Sequence, residues 1–196
     1  MTLLRVFIAV EIPLPIRQAI RDATESMREA LGSLIRWVPT ENMHLTLKFI
    51  GEVSPANVEF LSQMLSAETK GSAAFQMKIG GLGSFPSSRR ARVIWIGIQA
   101  PPGLASLQHG IESATTRLGY ELETRPFSPH LTIGRVRQQV SAGEQQQIRA
   151  ALERTQVGDL GIAGITGVHL FKSDLQPTGS IYTRLFSAPL ENGLPR

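Results

Sequence analysis

Two short stretches hold the residues best suited to chemistry: His44-Leu45-Thr46-Leu47 and His130-Leu131-Thr132-Ile133. In each, a histidine and a threonine stand two residues apart, interleaved with large aliphatics. Side chains on a strand alternate between faces. His44 and Thr46 therefore share one face while Leu45 and Leu47 share the other, and the second stretch repeats the arrangement. An imidazole gives or takes a proton near neutral pH. A hydroxyl beside it can donate to negative charge that develops during a reaction. A single stretch of this kind is a weak signal, because a lone histidine on a half-buried strand is usually structural. Two copies in a duplicated chain are a stronger one.

The duplication is readable. An offset of 86 residues relates the two histidines and the two threonines. The same offset pairs Ile8 with Ile94, Val10 with Ile96, Ile12 with Ile98 and Pro15 with Pro101, then Ile79 with Ile165, Gly81 with Gly167 and Phe85 with Phe171. A constant offset at both ends of each half marks an internal repeat. Two repeats related by an approximate two-fold axis would set the two His-Thr faces against each other across a cleft.

The segments HLTLKFIG and RPFSPHLTIGR resemble the paired His-x-Thr-x signatures of the 2H phosphoesterases. Within that superfamily the nearest likeness is to the RNA 2′,3′-cyclic phosphodiesterases, also called 2′-5′ RNA ligase-like proteins. RVFIAVEIP near the start and LQPTGSIYTRLF near the end extend the likeness over essentially the whole chain. The resemblance implies an α+β, bilobal, duplicated fold: two antiparallel β-sheets facing a central cleft, with helices packed on the outside. It implies hydrolysis of RNA 2′,3′-cyclic phosphate ends to 2′-phosphomonoesters. His44 would be the proton donor to the leaving 3′-oxygen and His130 the acceptor that activates water. Thr46 and Thr132 would bind the substrate. No metal and no cofactor are implied; the partner would be an RNA or nucleotide with a 2′,3′-cyclic phosphate, and the chain a monomer. By resemblance only, Lys172 and Tyr182 are candidates for the cleft. Arg135 has the family's spacing from the second histidine, yet strict alternation turns it away from His130. It reaches the cleft only if a bulge at Gly134 reverses it, so the expected site leaves it out. Lys48 has the parity of His44 and reads either as a phosphate contact or as a solvated edge lysine.

Rival readings remain. The same histidines could join a cyclic-phosphate end to a 5′-hydroxyl RNA, although water at about 55 M competes unless the site orders two RNA ends. The substrate could be a small nucleotide instead of RNA. The chain could be a non-catalytic RNA-binding module, which would not need both His-Thr pairs. A histidine-only metal site lacks an evident third ligand.

The chain has 196 residues, 42% hydrophobic and 18% charged, with a net charge of +4 and no cysteine. This is globular composition, and it excludes disulfides, thiolate nucleophiles and cysteine metal sites. The charge mildly favours a polyanionic partner. The expected organisation is a single bilobal domain, 1–196, with internal repeats of about 1–88 and 89–196. The apolar start is interrupted by Arg5 and Glu11 and is far too short to span a membrane; no membrane partner and a cytoplasmic location are expected.

Strands are expected at 6–10, from His44 to about Glu52, at 74–82, from Val93, from His130, up to Phe171, and at 181–186. Helices are expected over 15–31, from Ser54-Pro55 with Ser54 as cap, over 103–118, and over 143–155. The glycine- and arginine-rich segment 80–90 reads as the turn between repeats. It matches neither the dinucleotide-binding fingerprint nor the P-loop, and its arginines could reach an RNA backbone. Trp37 reads more readily as a core anchor than as a base-stacking wall, and His109 and His169 as structural.

Overall fold

The computed structural model describes residues 2–176 and 179–191. Its strands are β1 (Leu4–Glu11), β2 (Ile35–Trp37), β3 (His44–Val53), β4 (Phe75–Phe85), β5 (Val93–Gln99), β6 (His130–Val136), β7 (Asp159–Ile165), β8 (Gly167–Gln176) and β9 (Gly179–Pro189). The helices are α1 (Leu14–Ala23), α2 (Glu25–Leu31), α3 (Asn57–Thr69), α4 (Pro102–Arg117) and α5 (Ala142–Arg154). The strands form two antiparallel sheets, ordered β3-β1-β8-β9 and β2-β6-β5-β4-β7. This is the α+β, two-sheet architecture expected.

Alternation sets each strand's two faces. Val6, Ile8 and Val10 sink into the main core with Leu45, Leu47, Ile94, Ile96, Leu131 and Ile133, beside helix residues such as Ile20, Leu61, Leu65 and Ile111. The opposite face of β1 carries Phe7 and Ala9, which form a small separate cluster with Phe171 and Tyr182.

The halves exchange strands. β4, from the first half, pairs with β5 in the order Gly83↔Trp95, Ser84↔Ile94, Phe85↔Val93. β8, from the second, pairs with β1 as His169↔Ala9, Leu170↔Ile8, Phe171↔Phe7. The two registers are related residue for residue by the 86-residue offset.

Several elements differ from expectation. The first helix is two, because Thr24 sits fully buried between them and turns its hydroxyl back onto the Ile20 carbonyl at 2.8 Å. Backbonding of this sort competes with the helical ladder. α3 begins at Asn57, and Ser54 is not its cap: its carbonyl accepts from Asn57 N in a turn. The segment 80–85 is strand, not turn. Its glycines permit close approach: a Cβ on Gly83 would stand 2.2 Å from the Trp95 ring, and Gly81 has φ +76°. What read as one strand up to Phe171 is two, β7 on the second sheet and β8 on the first, and β8 runs on through Gln176 before β9 returns.

Residues 1–88 alone would strip β1 of β8 and β4 of both its neighbours. That fragment is expected to lack a cooperative thermal transition by circular dichroism, whereas the full chain shows one.

Candidate active site

Each motif strand begins at its histidine. Arg17 on α1 donates to the carbonyls of Thr40 (3.2 Å) and Glu41 (3.0 Å), fixing the turn that precedes His44. The His44 Nδ1 then lies 2.7 Å from the Asn42 carbonyl, and the His130 Nδ1 lies 2.7 Å from the Ser128 carbonyl. The two contacts are again 86 residues apart. A carbonyl only accepts, so in both rings Nδ1 carries the hydrogen. In the neutral ring Nε2 is then an unprotonated acceptor, the form a base needs; in the cation it is a donor, the form an acid needs.

The strand exchange provides the surroundings. His44 stacks on Phe7 at 4.8 Å between centroids and meets the edge of Tyr182 at 5.2 Å, with Phe171 at 6.5 Å. His130 meets Phe85 edge-on at 5.0 Å and Trp95 at 6.4 Å. Phe85 and Phe171 are repeat equivalents, and each lies beside the histidine of the other half. Thr46 and Thr132 are half-buried on the same faces as their histidines, opposite Ala9 and Trp95. Neither hydroxyl bonds to another described protein group.

A bulge then interrupts both strands at the same point. In β3, Ala9 pairs with Thr46 but Ile8 pairs with Lys48. In β6, Trp95 pairs with Thr132 but Ile94 pairs with Gly134. One extra residue, Leu47 or Ile133, reverses the residues that follow it; in β3 a second shift, between the pairs Phe7↔Phe49 and Val6↔Gly51, turns the strand back again. Lys48 is therefore carried off the cleft face. It is buried, bonded to Glu112 and to the Glu121 carbonyl (2.5 Å), and the same Glu112 oxygen accepts from Glu123 N at 2.8 Å. Lys48 is thus neither a phosphate contact nor a solvated edge lysine. It ties β3 to α4 and to the segment leading into the second motif.

The same reversal brings Arg135 and Phe49 to the cleft face. Arg135 is exposed, and its charge bears on His44. This corrects the alternation-based exclusion of Arg135, and ties the second motif strand to the first histidine; β3 and β6 also touch directly. Phe49, the repeat equivalent of Arg135, is 64% exposed, with its ring 6.2 Å from Phe7. Sequence reading missed Phe49. The signal was the offset itself, which pairs the two positions.

Of the remaining candidates, Tyr182 lies in the site. Lys172 sits opposite core-facing Val6 and pairs with Asp174 at 2.8 Å. Trp37 is half-buried, packed by Gly134 and covered by the Arg28 guanidinium at 4.6 Å. His169 bonds to Ser187 Oγ at 2.9 Å. A cavity of about 460 Å³ opens against His44, walled by Phe7, Glu11, Arg17, Asn42, Phe171 and Tyr182 among others; His130 does not line it. Among the described residues no cluster has three metal-binding side chains, and no helix is long and apolar enough to cross a membrane.

Burial pushes the His44 imidazole below its ordinary value of 6.5; the Asn42 carbonyl and Glu11 oppose this, and Arg135 adds to it.

Comparison with known proteins gives the family and agrees with the fold. The family described as LigT like Phosphoesterase matches twice, over residues 10–95 and 96–182. The chain belongs to that family, within the 2H phosphoesterases. It is 29% identical over 179 residues to the RNA 2′,3′-cyclic phosphodiesterase of Methanothermobacter thermautotrophicus, covering 91% of this chain and 95% of that one. It is 33% identical over 180 residues to the enzyme of the same name from Methanocaldococcus jannaschii, covering 91% and 96%. The crystal structure of E. coli LigT complexed with 3′-AMP superimposes with a TM-score of 0.76 at 27% identity, covering 97% of this chain and 99% of that one.

The His44 ring should titrate below 6.5 by NMR, and Arg135→Gln should raise that midpoint, since it removes a cation. Lys48→Met should destabilise the fold by about 3–5 kcal/mol in denaturant titration, because it strands a buried carboxylate. Lys48→Met with Glu112→Leu should recover much of the loss.

Proposed function

We propose that this chain hydrolyses the 2′,3′-cyclic phosphate at the end of an RNA, leaving a 2′-phosphomonoester. The observation that carries the reading is the matched pair of imidazoles, each with Nδ1 held by the carbonyl two residues upstream and Nε2 left for proton transfer. The names of the relatives point to the same reaction, and LigT's complex with 3′-AMP to a nucleotide-sized occupant.

In this reading water attacks phosphorus in line with the 3′-oxygen. His130 takes the water's proton through Nε2 as the new P–O bond forms. His44, in its protonated form, gives a proton to the 3′-oxygen as that P–O bond breaks. The division of roles follows the family resemblance. The low proton affinity of His44 makes it a strong donor once charged, and the substrate's negative phosphate favours the charged form. Thr46, Thr132 and Arg135 donate to the non-bridging oxygens, where preorganised donors oppose growing charge. The exposed ring of Phe49 offers a face on which the terminal base stacks. All of these groups are protein side chains, so turnover is expected to survive a chelator.

The assay uses a nucleoside 2′,3′-cyclic monophosphate, with the product's regiochemistry read by NMR. His44→Ala and His130→Ala should each lower turnover by orders of magnitude, and Thr46→Ala and Thr132→Ala by about 10²–10³-fold. A 3′-phosphate product would reverse the choice of leaving oxygen. Near-normal turnover in either histidine variant would remove that residue from the mechanism. Adding a 5′-hydroxyl RNA tests for joining, which should stay minor beside hydrolysis.

A further inference from the structure

We propose that Arg36 binds the phosphodiester on the 5′ side of the terminal nucleotide, so that the enzyme selects RNA ends over single nucleotides with the same cyclic phosphate. The proposal deepens the cyclic phosphodiesterase reading and rests on it.

The argument begins with register. On the edge of the second sheet, Ile35 pairs with Val136, Arg36 with Arg135 and Trp37 with Gly134. Directly opposed residues of an antiparallel pair share a face. Ile35 is buried, and a Cβ on Gly134 would point at the Ile35 and Trp37 side chains, so these residues mark the core side. Arg36 and Arg135 therefore stand together on the cleft side, and both are exposed.

Like charges directly opposed across a strand pair are destabilising. Among the described residues, neither guanidinium has a carboxylate within ion-pair distance. Among the described residues two adjacent cations thus stand with no carboxylate to neutralise them, and one of them, Arg135, bears on the first histidine. The scissile phosphate accounts for one, Arg135. A nucleoside 2′,3′-cyclic monophosphate has no second anion to offer the other. An RNA end has one, on the ribose 5′-oxygen. The opposed backbones are about 5 Å apart, and two extended arginine side chains can then grip neighbouring phosphates. β2 is three residues long and is the sheet's outer strand, so a strand leaving the cleft over Arg36 meets an open rim.

The test compares three substrates with one terminal nucleoside: the cyclic monophosphate, the same molecule bearing a 5′-phosphate, and a short oligonucleotide. The wild type should prefer the second and third by kcat/KM. Arg36→Gln should shrink both preferences about ten-fold, and Arg36→Lys should retain part of them. Arg154→Gln, an exposed arginine on α5, should leave them unchanged. Binding of an oligonucleotide ending in a 2′-phosphate supplies a readout independent of turnover. Its log–log salt slope should flatten by about 0.7 in Arg36→Gln, the loss of one phosphate contact on a single strand. An unchanged preference and slope in Arg36→Gln would overturn the proposal, as would an equal loss on all three substrates. Absence of turnover on every cyclic phosphate would sink the reaction itself, while the salt slope would still decide Arg36.

Discussion

One extra residue in each motif strand determines what the cleft contains. The bulges at Leu47 and Ile133 fall at equivalent places in the two halves. Before them, plain alternation sets a histidine and a threonine on the open face and aliphatics in the core. Just after them the parity inverts, in β3 only as far as its second shift at Ile50. The charged lysine that would have faced substrate goes inward to Glu112, and an arginine and a phenylalanine come outward instead. A bulge bends its strand and sharpens local twist, and here it also differentiates two nearly equal halves. One presents a cation at the reversed position and the other an aromatic ring. A duplicated frame thereby carries two chemically different groups at equivalent positions.

Legibility in the sequence follows from the same fact. Period-two alternation and a fixed offset are local or translational properties, and they suffice to locate most of the strands, the duplication and the His-Thr faces. A bulge leaves no such mark. Gly134 hinted at one, but Lys48 at the matching place is an ordinary strand residue, so counting alone assigns both Lys48 and Arg135 to the wrong side. The glycines of 80–85 misled for a related reason. They resemble turn residues, while their role is to let β4 pass under Trp95. Likewise, the division between β7 and β8 depends on which sheet each joins, a non-local choice that a reading of residues 158–171 in isolation cannot contain.

The exchange of β4 and β8 gives the aromatic residues their meaning. Phe85 is carried by the first half and packs against the histidine of the second, and Phe171 lies near the histidine of the first. Each imidazole is thus packed on one side by a strand from elsewhere in the chain. For His44, with Phe7 and Tyr182 added, burial is what depresses its proton affinity.

Asn42 makes two bonds whose combination matters. Its carbonyl receives the His44 Nδ1 hydrogen, while its side-chain amide donates to the Ser180 carbonyl at 2.7 Å, near the start of β9. That strand also brings Tyr182 against the imidazole. The ring's tautomer and the seating of the β8–β9 hairpin are therefore linked through a single residue. The amide bond and the aromatic edge both belong to β9, so the strand that packs the ring also holds the residue that sets its tautomer. One asparagine thus couples the protonation pattern of a motif histidine to the docking of the closing strand.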